Sequence, residues 1–276
     1  GEVVHSIEEQ GKMTDDIMIA IASARTLAEV EDIYRPYKQK KRTRATIAKE
    51  KGLEPLSLII YMQTEKKDIN EIAKQYINEE KGVKTAEEAI SGAMDIIAEN
   101  ISDNAEYRKQ IKKLCYREGM IVSKAAKDEK SSYEMYYDFS ELIRQIPSHR
   151  ILAINRGEKE EFLKVKIEKP EEKILDIIKN DIIKKDSQFK EILENTIVDS
   201  FKRLIEPSID REIRSDLTEK AEEQAIKVFG QNAKQLLLGA PLKNLTVIGF
   251  DPAYRTGCKI AVIDDTGKLL DTATIY

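Results

Sequence analysis

Asp251 is the residue of this chain whose position best suits catalysis by a carboxylate. It follows a short β-rich apolar run, Thr246–Phe250, and precedes Pro252. Two further apolar runs, Lys259–Ile263 and Leu269–Ile275, come after it, so the three together predict a β-meander with Asp251 at the end of its first strand. A two-metal phosphodiesterase centre needs several such carboxylates around ions about 3.5–4 Å apart.

One carboxylate cannot supply such a centre. Asp264, Asp265 and Asp271 lie on or near the turn and strand that follow, where aspartates more commonly hydrogen-bond the backbone of the turn itself. We therefore predict no catalytic residue, no metal site and no cofactor. If the chain is nevertheless part of a nuclease, Asp251 is the catalytic candidate.

The second candidate for a functional role is a strongly basic segment that could bind phosphate. It spans residues 34–51 (YRPYKQKKRTRATIAKEK). It contains eight basic residues against one acidic residue, a net charge of +7. Lys and Arg at this density attract phosphate, and Tyr34 and Tyr37 offer rings on which bases of a single strand could stack. The alternative is a solvated connector whose tyrosines pack against helices. The candidate nucleic-acid-binding residues are Lys38, Lys40, Lys41, Arg42 and Arg44.

Composition places these residues in a mostly helical protein. The chain has 276 residues, of which 35% are charged and 6% aromatic, and a formal net charge of −4. That balance argues against a surface that binds nucleic acid everywhere, and leaves room for a local basic patch. Cys115 and Cys258 fit no metal-ligand spacing and indicate free thiols. No apolar run is long enough to span a bilayer and no secretory signal is present, so we expect a cytoplasmic protein without membrane contact.

Hydrophobic periodicity predicts several helices, and one stretch between them is predicted to form a β-hairpin. Thr85 and Glu88 form a capping box before an apolar stripe, which predicts a helix from there to about Ile101. Thr218 is expected to cap the longest helix, ending near Leu238. Between them, two β-rich runs on either side of Gly157 predict a small hairpin at about residues 151–167. The expected fold is mainly α. Residues 1–245 are predicted to form a multi-helix body that has helix-turn-helix-like parts and contains this hairpin. Residues 246–276 are predicted to form the meander.

Four segments of the chain resemble the Tex family of bacterial transcription accessory proteins. They run in family order from residue 31 to residue 264. The segments are EDIYRPYKQKKRTRATIAKEKGLEPL (Glu31–Leu56), PSHRILAINRGEKEEFLKVKI (Pro147–Ile167), DSFKRLIEPSIDREIRSDLTEKAEEQAIKVFGQNAKQLLL (Asp199–Leu238) and VIGFDPAYRTGCKIAVID (Val247–Asp264).

The resemblance implies a multidomain nucleic-acid-binding protein with a helical N-terminal region, a YqgF-type RNase H-like domain, helix-hairpin-helix motifs and a C-terminal OB-fold RNA-binding domain. It also implies that the meander is the incomplete start of the YqgF-like domain. The chain is therefore expected to be truncated at both ends and to lack the OB-fold domain. Residues 246–276 are then expected to be held by pairing among their own three strands or with another chain.

Three functions follow as hypotheses. The resemblance favours a non-enzymatic nucleic-acid-binding scaffold of a transcription accessory factor, with RNA or DNA and possibly the transcription machinery as partners of the full-length protein, and no small-molecule substrate. A metal-dependent nuclease or resolvase of the RuvC/YqgF type is the first alternative. The family usually has Gly where this chain has Ala253, which disfavours close backbone approach to a phosphate or metal. The second alternative is a scaffold that binds only proteins.

Overall fold

The computed structural model describes residues 2–38, 42–184, 186–240 and 244–276. Its helices are, in chain order, α1 Glu2–Glu9, α2 Asp15–Ser23, α3 Leu27–Tyr34, α4 Arg44–Glu50, α5 Glu54–Met62, α6 Ile69–Lys74, α7 Ala86–Asp103, α8 Ala105–Glu118, α9 Ser148–Lys159, α10 Glu171–Ile182, α11 Lys190–Asp199 and α12 Glu206–Leu237. Short 3-10 turns lie at Arg35–Tyr37 and Glu134–Tyr136, and a π-helical segment, Ser200–Ile205, joins α11 to α12. The strands are β1 Met120–Ala125, β2 Asp138–Leu142, β3 Leu163–Glu168, β4 Val247–Asp251, β5 Cys258–Ile263 and β6 Leu269–Ile275.

The strands form two separate three-stranded antiparallel sheets. In the first, β1 is central and pairs with β2 and β3, so that Val122 lies opposite Ser140 and Lys166. In the second, β5 is central between β4 and β6, with a bulge between Val262 and Ile263. The predicted β-meander is therefore confirmed, and its three strands pair with one another as expected.

The chain divides into two compact units, residues up to Glu222 and Glu223–Tyr276. The first unit has a main core among α4, α5, α7, α8, α10 and α11. A second core lies between the first sheet and α9, where Ile121, Ile154 and Leu163 are buried. The second unit contains the second sheet, and no apolar side chain among its described residues is buried. The expected domain boundary at residue 245 remains a prediction.

A local signal located the start of α7 correctly. The Thr85 hydroxyl accepts a hydrogen bond from the Glu88 amide at 3.2 Å, which caps α7 as predicted. The Glu88 carboxylate accepts from the Lys84 amide at 2.7 Å, and so supports the same end of the helix. Both hydrogen bonds join residues within four positions of each other, which is why the sequence alone could indicate them.

The predicted hairpin at residues 151–167 is wrong in its first half. Ile151 and Ile154 lie in α9, where both are buried and share a face with Gly157 at helical spacing. The second half does form a strand, β3, but its partner is β1, some forty residues earlier in the chain. Isoleucine favours strands, and burial of one helical face against the sheet overrides that weak preference here.

The predicted helix start at Thr218 is also wrong. Thr218 lies inside α12, and its hydroxyl donates to the Arg214 carbonyl oxygen at 2.8 Å, one turn earlier in the same helix. The helix instead begins at Glu206 and is continuous with the π-helical segment. Pro207 falls in its first turn; because a proline lacks an amide hydrogen and crowds the preceding turn, the wider π-helical turn before it accommodates the ring.

Candidate nucleic-acid interface

The basic segment occupies a short 3-10 turn, Arg35–Tyr37, and the helix α4. Thr43 caps α4 by accepting a hydrogen bond from the Thr46 amide at 3.0 Å. Ala45 and Ala48 are buried where α4 packs against α7. Since the small residues form the buried face, the charged residues of α4 are left on its exposed faces.

Three of the five predicted binding residues can be placed, and all three are exposed: Lys38, Arg42 and Arg44. Lys40 and Lys41 lie outside the described residues. The Arg42 guanidinium donates to the Glu50 carboxylate at 2.7 Å, and both side chains are more than half exposed. Such a surface ion pair contributes little to stability, so the guanidinium can exchange its carboxylate for a phosphate at small cost.

The other two residues line different hollows. Lys38 lines a hollow of about 390 Å³ together with Lys49 and the polar residues Thr46, Asn100 and Asn104; the same hollow contains Glu99 and Asp103. Arg44 lines a second hollow of about 330 Å³ with Lys51, beside Glu88 and Asp95. The structure therefore brings Lys38 together with Lys49, and Arg44 with Lys51, so that these two of the predicted residues that the structure describes line separate hollows.

The Tyr34 side chain holds the basic segment to α1, and the backbone of Tyr37 is bonded to Gln10, which follows that helix. The Tyr34 hydroxyl shares a hydrogen bond with the Ser6 hydroxyl at 2.8 Å, and the Tyr37 backbone carbonyl oxygen accepts one from the side-chain Nε2 of Gln10 at 2.8 Å. Both tyrosines are half-buried. For Tyr34 this agrees with the packing role that the connector alternative assigned to the tyrosines.

Arg35 connects the basic segment to a buried charge network in the body of the first unit. Its Nε lies 3.3 Å from Asp103 Oδ1, and one of its terminal nitrogens donates to the Ser208 hydroxyl at 3.3 Å. Arg108 shares Ser208 as an acceptor at 3.1 Å and is fully buried. The basic segment is thus anchored to α7 and α12 by its first arginine.

Arg108 is the centre of that network. It donates to Asp32 at 2.7 Å and to Glu212, and Lys112 lies 2.8 Å from Asp32 and 2.5 Å from Glu212. Burial lowers the pKa of Lys112, but hydrogen bonds to the two carboxylates outweigh it and place the pKa above its ordinary value. Sequence reasoning missed this network because the partners of Arg108 are 76 to 104 residues away from it and no local pattern relates them.

Asp251, the candidate catalytic residue of the nuclease hypothesis, ends β4 and is exposed. Its partner in the strand register is Lys259 of β5. It lies in an open hollow on the sheet that is also lined by Thr272 and Thr274. Gly257 closes the turn between the two strands with a φ of 78°; a Cβ there would lie 2.8 Å from the Thr274 side chain, so glycine is required.

Two neighbouring aspartates, Asp264 and Asp271, accept hydrogen bonds within their own turn and strand. Asp264 accepts hydrogen bonds from the Thr266 hydroxyl at 2.7 Å and from the Lys268 amide at 2.9 Å, and these lower the pKa of its carboxyl. Asp271 accepts from the adjacent Thr272 amide at 2.8 Å. Across the part of the chain that the structure describes, no three His, Cys, Asp or Glu side chains are grouped so as to hold a metal ion.

Within the same described ranges, none of the helices has the length and apolar character needed to cross a membrane.

Two family models match the chain. The model described as Tex central region-like matches residues 64–229, and the model described as Tex protein YqgF-like domain matches residues 245–276. The second match includes Asp251 and all three strands of the second sheet. The two matches thus follow the same order as the two parts of the chain, helices first and the sheet last.

Several curated proteins align with nearly the whole chain. The uncharacterized protein YdcI of Bacillus subtilis (strain 168) is 52% identical over 280 residues, covering 100% of this chain and 39% of that protein. The transcriptional accessory protein Tex of Neisseria gonorrhoeae is 36% identical over 291 residues, covering 99% of this chain and 37% of that protein. The S1 RNA-binding domain-containing protein 1 of Pongo abelii is 34% identical over 295 residues, covering 99% and 29% respectively. The chain therefore spans less than two fifths of the length of these relatives.

Proposed function

Because this chain belongs to the Tex family, we propose that it is a non-enzymatic nucleic-acid-binding scaffold of a transcription accessory factor. One relative carries the name transcriptional accessory protein and another is named for an S1 RNA-binding domain. The observation that carries the proposal for this chain is the exposure of Lys38, Arg42 and Arg44 in a segment of net charge +7. We infer that RNA or DNA is the partner and that no cofactor is needed.

The contacts are expected to be with the phosphate backbone. Arg42 presents a planar guanidinium whose present partner is an exposed carboxylate, and a phosphate accepts the same paired hydrogen bonds. Lys38 beside Lys49, and Arg44 beside Lys51, add two further pairs of positive charge. Backbone contacts of this kind carry no sequence information, so we propose binding with little base preference through Lys38, Lys40, Lys41, Arg42 and Arg44.

The salt dependence of binding tests this proposal. The triple variant Lys38→Gln, Arg42→Gln, Arg44→Gln is compared with wild type by fluorescence anisotropy of a labelled oligouridylate over a series of NaCl concentrations. Each lost phosphate contact should lower the log–log salt slope by about 0.7 for a single strand, or about 2 for all three. The matched control is Lys66→Gln, Lys67→Gln, Lys74→Gln, which removes the same charge from exposed positions of the α5–α6 region. Equal slopes in the two variants would contradict the proposed interface.

The nuclease alternative draws on one observation, the match of residues 245–276 to a YqgF-like domain that includes Asp251. If the nuclease alternative is right, the intact protein should cleave branched or single-stranded DNA or RNA in the presence of Mg²⁺ or Mn²⁺. The Asp251→Asn variant should then have lost this activity. Such activity in the intact protein would replace the non-enzymatic proposal. If the intact protein binds neither RNA nor DNA at low salt, the protein-binding scaffold replaces it instead.

A further inference from the structure

The outer face of the first sheet carries three lysines that the sequence analysis did not single out. Along β3, Leu163 and Ile167 are buried while Lys164 and Lys166 are exposed, as strand alternation requires. On the central strand β1, Lys124 is exposed and lies directly opposite Lys164. Residues that face each other across an antiparallel pair point to the same side of the sheet. We call this surface, formed by Lys124, Lys164 and Lys166, the lysine face.

The pairing of Lys124 with Lys164 places like charges in direct opposition. Their Cβ atoms are expected to lie about 5 Å apart, and such pairs destabilise a sheet. Among the described residues, neither side chain makes a hydrogen bond or an ion pair, although Asp138 of β2 lies opposite Lys124 on its other side. The third lysine, Lys166, pairs with Glu168 at 2.9 Å, and both of those side chains are more than half exposed.

Protection of the sheet edge does not explain the arrangement. Lysines on an edge strand hinder unwanted pairing with other chains, and that accounts for Lys164 and Lys166 because β3 is an edge strand. Lys124 is different: β1 is paired on both sides, so it has no edge to protect. Lys124 has Asp138 opposite it on β2 and Lys164 opposite it on β3, so one carboxylate faces two ammonium groups in this row and a positive charge remains for an anionic ligand.

The geometry points to an extended anion. Lys164 and Lys166 are two residues apart on one strand, which separates them by about 6.6 Å along it, and Lys124 lies beside Lys164. The residues between them are small or apolar: Val122 and the exposed Ser140 occupy the positions next to Lys166. Three positive charges spread over two neighbouring strands suit a chain of phosphates better than one isolated ion.

We propose that the lysine face is a second phosphate-contacting surface for single-stranded nucleic acid. The inference rests on the proposed nucleic-acid-binding function and adds a site to it. Lys164 is the principal contact, because its partner in the strand register is a lysine, and Lys124 contributes beside it although Asp138 lies opposite Lys124 on β2. Lys166 contributes by releasing Glu168, an exposed pair of small energetic value.

The test uses the full chain and three variants of equal charge change. The lysine-face variant is Lys124→Gln, Lys164→Gln, Lys166→Gln, and the Lys38, Arg42, Arg44 variant and the Lys66, Lys67, Lys74 control are those described above. Anisotropy of labelled oligouridylate and oligothymidylate is measured over a NaCl series. The lysine-face variant should lose about 2 from the salt slope with both probes, from three contacts at about 0.7 each, while the control keeps the wild-type slope.

The outcomes separate this inference from the function on which it rests. If the lysine-face variant behaves like the control while the Lys38, Arg42, Arg44 variant loses slope, the second surface is refuted and the proposed function stands. If wild type binds neither probe at low salt, both are refuted. Thermal unfolding of Lys124→Gln supplies an independent measurement: relief of the opposition to Lys164 should leave the midpoint equal or higher, and a lower midpoint would show that Lys124 serves the fold instead.

Discussion

At the scale of single residues, charges buried in the first unit join elements that are distant in sequence. Arg108 of α8 reaches Asp32 of α3 and both Ser208 and Glu212 of α12. A buried ion pair contributes little net stability compared with a well-packed apolar pair, but removing one partner leaves the other charge uncompensated. Arg108 therefore makes the position of α8 against α3 and α12 specific.

Loss of the Arg108 guanidinium should be costly. We expect Arg108→Met to lower the free energy of unfolding by about 3–5 kcal/mol, because Asp32 and Glu212 would then share Lys112 alone in a buried site. Urea unfolding followed by circular dichroism measures this. The control is Arg117→Met, also on α8, whose guanidinium is 59% exposed and pairs with its neighbour Glu118; its midpoint should match wild type. A similar midpoint for both variants would show that the network does not stabilise the fold.

The two thiols should differ in reactivity. Burial raises the pKa of Cys115 to about 12, whereas Cys258 is only half-buried. Because the thiolate is the reactive form, Cys115 should resist iodoacetamide at pH 8 in the native protein and react once urea unfolds it. Mass spectrometry should find native labelling at Cys258, abolished by Cys258→Ala and unaffected by Cys115→Ala. Rapid labelling of native Cys115 would contradict its burial.

At the scale of elements, the contact of α9 with β3 depends on the absence of a side chain. A Cβ on Gly157 would lie 2.7 Å from Leu163 Cδ1 and 3.1 Å from a ring carbon of Tyr133. Leu163 and Tyr133 are both buried, so neither has free space to move into. The close approach of the helix to the strand requires glycine at this position.

The same substitution should have opposite effects in two helices. Gly157→Ala should lower the free energy of unfolding by about 1–3 kcal/mol through overpacking. Gly230→Ala, in α12, adds a Cβ that meets no atom within 4 Å, and alanine is the better helix former by about 1 kcal/mol. Its midpoint should equal or exceed that of wild type. Thermal unfolding of both variants checks this, and equal losses would mean that helix propensity, not contact with Leu163, decides the effect at residue 157.

At the scale of the whole molecule, the two units differ in how much apolar surface they bury. The first unit contains both cores, and its strand β1 carries buried residues such as Ile121. In the second unit, Ile248 and Phe250 are 65% and 58% exposed. A sheet of three strands needs a buried apolar face for independent stability. The second sheet is therefore held mainly by its backbone hydrogen bonds.

Hydrogen exchange should report this difference directly. Amides of β1 and β3 should exchange at rates set by global unfolding, whereas amides of β4, β5 and β6 should exchange by local opening and much faster. Exchange measured by mass spectrometry on the intact chain gives both rates in one sample, so the first sheet is the internal control. Equal protection of β1 and β5 would show that the second sheet is stabilised by something other than its own strand pairing.

Local sequence features were enough to predict much of this fold. The cap of α7 at Thr85 and the three strands that contain and follow Asp251 each depend on residues a few positions apart. The basic segment was evident in the same way, since its charge is a property of consecutive residues. The exposure of Lys38, Arg42 and Arg44 agrees with that interpretation, and their binding role remains a proposal.

Contacts between residues that are distant in sequence were decided only by the tertiary structure. Residues 151–154 became helical because one helical face could be buried against a sheet, and β1 and β2 had no strong local signal. The partners of Arg108 and the opposition of Lys124 to Lys164 depend on strand register and helix packing. The sequence by itself determined the family, the mainly helical class and the basic segment, because these follow from composition and short-range pattern. The tertiary structure decided which charges are buried, which are paired and which remain available to a ligand, because burial and pairing are set by contacts that the chain makes only when folded.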